Sequence, residues 1–147
     1  MSLESGPYVQ IAGFFDYIIE DKSGSLSLIR MIDTIIHQER GSNPPDEMPQ
    51  IVFSSKMVIA LKSGKARGRN IVRIVPELPN GSTKDAIPVS VQFDGEEKGY
   101  NIILNITFPI TLEGLYWFYV YLGEGTDTLL SKIPLRARYE RVITSVQ

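Results

Sequence analysis

Apolar and polar residues alternate with a period of two along most of the chain, the signature of strands that bury one face. The clearest run is 100–108. Tyr100, Ile102, Leu104, Ile106 and Phe108 face one way, while Asn101, Ile103, Asn105 and Thr107 face the other. Similar runs predict strands over 8–20, 25–36, 51–61, 69–77, 86–93, 114–123 and 129–141. In 51–61, Met57, Ile59 and Leu61 share one face, and Lys56 and Val58 the other, with Lys62 following. Leu28, Ile29, Ile32, Ile35 and Ile36 also fit a period of 3.6, so a helix competes with a strand over 26–36. Gly13 predicts a bulge or a close backbone approach within its strand. Turn residues separate the runs, most clearly Asp21-Lys22-Ser23-Gly24, Asn80-Gly81 and Asp94-Gly95. Residues 37–50 carry Pro44, Pro45 and Pro49 and predict a long loop. About eight strands at this spacing predict an all-β, antiparallel two-sheet sandwich, with Pro88 and Pro134 marking edge strands.

The densest aromatic run is 114–123, Gly-Leu-Tyr-Trp-Phe-Tyr-Val-Tyr-Leu-Gly. One face carries Tyr116, Phe118, Val120 and Leu122, and the other Leu115, Trp117, Tyr119 and Tyr121. A strand needs only one apolar face to join a core. The second face is therefore either covered, for example by 37–50 or the N-terminal residues, or an exposed surface for a protein partner, a second copy or a ligand.

Composition narrows the classes. A chain of 147 residues is sized for one domain, here 1–147, and can bury enough surface to fold without a staple. A net charge of −2 argues against a general nucleic-acid binder. The absence of cysteine excludes disulfides, thiol catalysis and zinc-thiolate sites. It also fits a reducing compartment, and the cytoplasm is expected. Residues 1–7 show no basic region followed by an apolar run, so no signal peptide is expected. No apolar run approaches the roughly 20 residues of a membrane helix.

Chemistry-bearing motifs are sparse. The sole histidine, His37, stands where a strand meets the proline-rich loop, and no serine lies in Gly-x-Ser-x-Gly. The acidic turns Glu20-Asp21 and Asp94/Glu96/Glu97 lack the spacing of a calcium loop. Lys62, Lys65, Arg67 and Arg69 concentrate four positive charges on one glycine-containing turn, a candidate anion site that completes no Walker motif. No metal or cofactor is expected, and no enzyme.

Three stretches together resemble an uncharacterised bacterial family of small sandwich proteins. The first is Phe14-Phe15-Asp16-Tyr17-Ile18-Ile19-Glu20-Asp21 with Gly24–Ile29 and Ile32-Asp33. The second is Pro79-Asn80-Gly81, and the third is Phe108, Gly114–Gly123 and Ile133-Pro134-Leu135. The resemblance implies an immunoglobulin-like architecture and carries over no catalytic residue. The resulting expectation is a non-enzymatic structural or interaction module working through Leu115, Trp117, Tyr119 and Tyr121. The alternative is a ligand-binding sandwich for a saccharide or a phosphorylated molecule.

Overall fold

The computed structural model describes residues 5–126 and 128–145, and among these it contains nine strands and no helix. They are β1 (Tyr8–Glu20), β2 (Leu26–Ile32), β3 (Thr34–Gly41), β4 (Ile51–Gly64), β5 (Gly68–Glu77), β6 (Ile87–Phe93), β7 (Glu96–Ile110), β8 (Gly114–Leu122) and β9 (Leu129–Ile143). One sheet has the order β2-β1-β4-β7 and the other β3-β9-β8-β5-β6. No helix is long and apolar enough to cross a membrane among the described residues.

The region where helix and strand competed is strand, and it divides at Asp33. β2 stays with β1, while β3 joins the other sheet beside β9. The Asp33 carbonyl accepts from the Arg136 N–H at 2.8 Å where β3 enters. β3 runs in the same direction as β9, so the five-stranded sheet is mixed and not wholly antiparallel. Strand also continues to Gly41, into the segment expected to be loop, because the prolines begin only at Pro44. Pro88 does lie on an edge strand, β6. Pro134 does not, since β9 lies between β3 and β8. It is tolerated because β3 pairs only from Arg136 onward, leaving that side of β9 open at 134.

Between the sheets lies an aromatic cluster. Phe118 of β8 meets Phe14 of β1 at 5.0 Å and Phe108 of β7 at 5.5 Å, both edge-to-face. Phe14 also meets Phe53 at 5.4 Å, and Phe108 meets Tyr116 at 5.8 Å. Met57, Ile59, Leu61, Val72, Ile74 and Leu135 surround it.

β4 is buried on both faces from Met57 to Leu61. The second cover is the β1–β2 hairpin. Ser23, Leu26 and Leu28 line one cleft together with Ile11, Ala60 and Lys62. Ile11 and Ser23 would stand about 40 Å apart along a straight strand at ~3.3 Å per residue. The hairpin therefore folds back over the outer face of the four-stranded sheet. The bend lies where β1 leaves β4 after Phe15. There Arg30 takes a left-handed φ of 58° and pairs with Asp16, and Ser55 Oγ donates to the Phe15 carbonyl at 3.1 Å. Gly13 serves the same packing. A Cβ there would lie 2.7 Å from the Met31 methyl, so the neighbour that comes close is a side chain and not another backbone, and the register shift falls earlier, between Val9 and Ile11.

Candidate functional site

β8 is a central strand, held between β5 and β9. Tyr116, Phe118 and Val120 point into the core, and Leu115, Trp117, Tyr119 and Tyr121 point outward, each half-buried. The loop after β3 does not reach them. It is pinned to the far end of β9, where Tyr139 Oη donates to the Pro45 carbonyl at 2.7 Å and Arg141 donates to the Pro44 carbonyl at 2.9 Å. The outer aromatic face is shielded by single side chains instead. Lys132 Nζ lies 4.6 Å from the Trp117 ring centre, and the Arg73 guanidinium lies 5.6 Å from that of Tyr121. Arg73 is fixed there by donating to the carbonyls of Gly123 (2.8 Å) and Gly125 (2.6 Å). Tyr119 and Tyr121 run parallel at 6.2 Å.

Beside these two tyrosines the surface is concave. A groove of about 640 Å³ is lined by Arg73, Glu77, Lys84, Asp85, Tyr119 and Tyr121. Burial, and then the Glu77 carboxylate, hold the Tyr119 hydroxyl above the ordinary phenol range. A raised phenol pKa stabilises the fold fully below the unfolded value, and that contribution is lost as pH rises through the folded value. Tyr8 and Tyr139 are raised as well. Absorbance at 295 nm is therefore expected to show a late-ionising component, and Glu77→Gln is expected to move the Tyr119 part of it partway back toward the ordinary range, since burial remains. An unchanged titration in Glu77→Gln would mean that Glu77 does not act on this phenol.

The basic turn does not assemble as one site. Lys62 stands on the outer face of the four-stranded sheet, in the cleft under the hairpin. Lys65 is exposed, and its backbone N–H donates to the Ser5 carbonyl at 2.7 Å. Arg67 turns back to its own turn, donating to the carbonyls of Gly64 (3.3 Å) and Ala66 (3.2 Å) and lying over Gly95. Arg69 lies on the outer face of the other sheet, opposite Gln92. Four charges close in sequence therefore serve different surfaces, because the turn joins strands of two sheets.

His37 faces Glu39, two residues along the same strand, with 2.8 Å between Nε2 and Oε1, and stacks on Tyr139 at 6.2 Å. It lines neither the groove nor the cleft. Asp21 accepts from the Ser23 hydroxyl and from the N–H groups of Ser23 and Ser25, which hold its carboxyl below the ordinary range. It is thereby committed to its own turn. Glu97 accepts from Tyr8 Oη at 3.2 Å. Among the described residues no group of three or more His, Cys, Asp or Glu converges on one point.

The aromatic face also gathers residues that alternation alone does not assign to it: Arg73 and Glu77 from β5, and Lys132 and Arg136 from β9. Leu115 stands opposite Arg136, Trp117 between Glu77 and Pro134, and Tyr119 between Val75 and Lys132. Alternation in 129–141 signals that Arg136 points outward, but not which strand lies beside it. Compared with models of known protein families the chain finds no match, and no curated protein is similar to it.

Proposed function

We propose that this protein is a non-enzymatic interaction module that docks a protein partner through Leu115, Trp117, Tyr119 and Tyr121. The observation that carries it is a row of four large, half-buried side chains on the outer face of a central strand. Trp, Tyr and Arg are the residues that dominate binding energy at protein interfaces, and all three meet here.

The architecture behind this reading is immunoglobulin-like. Support comes from the strand order and from the parallel pairing of the early strand β3 with the last strand β9. Further support comes from Tyr116 at the start of β8. Its hydroxyl donates to the Leu112 carbonyl at 2.9 Å and accepts from the Leu112 N–H at 3.1 Å, closing the corner before the strand. The likeness to small bacterial sandwich proteins belongs to the same proposal.

The test uses Trp117, the sole tryptophan. Acrylamide is expected to quench it readily in the isolated chain. Light scattering of the wild type and of Trp117→Ala/Tyr119→Ala then asks whether the partner is a second copy. A dimer that the folded double variant dissolves identifies a second copy. A monomer with a quenchable Trp117 places the partner outside this chain. A monomer whose Trp117 resists quencher overturns the reading, because the face is then covered.

A second reading, a binding site for a saccharide or a phosphorylated small molecule, has the groove beside Tyr119 and Tyr121 in its favour, since side chains of both charge signs line it.

A further inference from the structure

The outer face of the five-stranded sheet is basic on a chain that is acidic overall. Its outward strand positions hold Arg40, Arg69, Arg73, Lys132, Arg136 and Arg138 against two carboxylates, Glu77 and Glu140. That is six of the fifteen cations and two of the seventeen acids, leaving nine cations and fifteen acids for the rest of the chain. None of the six lies within ion-pair distance of a carboxylate among the described residues; the pairs there are Arg30–Asp16, His37–Glu39 and Arg141–Asp46. The charges surround the aromatic row: Lys132 stands over Trp117, Arg136 is opposite Leu115, and Arg73 is over Tyr121.

We propose that the partner of the aromatic face is an acidic polypeptide surface, with carboxylates placed around an apolar centre. This rests on the docking reading above and adds the partner's chemistry. Two copies meeting through this face would set six cations against six, so a symmetric dimer is disfavoured. Basic face against acidic remainder would be a head-to-tail contact that need not close. A single-stranded nucleic acid also combines negative charge with stacking groups. Three features favour the polypeptide. Glu77 sits beside Trp117 and Tyr119, in the path a phosphate backbone would take. Two of the rings already carry a cation over them. The remainder of the chain, with fifteen acids to nine cations, repels a long polyanion.

The experiment follows Trp117 emission as the full chain is titrated with three twelve-residue probes: a peptide alternating Glu and Leu, its Gln/Leu counterpart, and oligothymidine. The Glu/Leu peptide is expected to give a saturable change. Its apparent affinity is expected to exceed that for the Gln/Leu peptide at least ten-fold, and to fall at least ten-fold in Arg136→Glu/Arg138→Glu, which leaves the Lys132–Trp117 contact intact. Equal binding of both peptides, abolished by Tyr119→Ala, overturns the acidic partner and leaves the docking face standing. Tighter binding of oligothymidine overturns it in favour of nucleic acid. No response to any probe, with Trp117 readily quenched, overturns the acidic partner; with Trp117 resistant to quencher it removes the docking face as well.

Discussion

Phe118→Ala is expected to destabilise the fold by about 3–5 kcal/mol, the range for truncating a fully buried aromatic ring. Phe118 is 0% exposed and is the point where β8 reaches both Phe14 and Phe108 of the opposite sheet. Removing it takes away burial, two edge-to-face contacts and the filling of the space between the sheets, which the surrounding strands can only partly close. A domain of this size has about 5–15 kcal/mol in total, so the variant should unfold at far lower urea than the wild type. Phe118→Leu, which leaves less empty space, should lose less. Trp117→Ala, one residue away and on the outer face, should lose much less than Phe118→Ala. Equal losses at 117 and 118 in urea titrations would mean that the outer face is packed as tightly as the core.

Val58→Asp is the second large effect, and it tests the folded-back hairpin. Val58 points to the outer side of its sheet, where alternation in 51–61 expects a surface position, yet it is 0% exposed. The fold supplies the reason: the hairpin lies over that side of β4, and Gly13 opposite Val58 admits the Met31 and Phe15 side chains. A carboxylate placed there would be buried without a partner, at a cost of about 3–5 kcal/mol or more. The neighbouring position on β7, Ile103, is 38% exposed and stands opposite Val58. Ile103→Asp should therefore cost about 1 kcal/mol, near the centre of the range for point substitutions. Comparing the two variants by denaturant unfolding separates the explanations. Similar small losses at both sites would show that the hairpin does not pack on the sheet in solution.

Strand identity was legible wherever local chemistry alone decides it. Alternation gave the inward row Tyr100, Ile102, Leu104, Ile106 and Phe108, because a pleated strand sends successive side chains to opposite sides wherever it lies. Asn80-Gly81 gave its turn for an equally local reason: Gly81 has φ 87°, and the Asn80 side chain accepts from the Ser82 N–H at 3.0 Å. Both faces of 114–123 were also readable, and the choice of Leu115, Trp117, Tyr119 and Tyr121 as the outward set agrees with the observed alternation of burial.

Tertiary structure decided everything that depends on which strands become neighbours. Ile29 and Ile36 look alike in sequence, yet β2 stays with β1 while β3 crosses to pair with β9, because the separation at Asp33 is set by what lies beside each segment. Val58 and Ile103 carry the same kind of side chain on the same side of one sheet, and only the hairpin bent back over β4 makes one core and the other surface. Lys62, Lys65, Arg67 and Arg69 are close along the chain and separate in space. Arg73 of β5 is far along the chain from Lys132 and Arg136 of β9, yet all three meet around Trp117 and its neighbours. The period of two fixes which way a side chain points, a property of each strand alone. Register and sheet order fix what it meets, and these arise from burial summed over the whole chain.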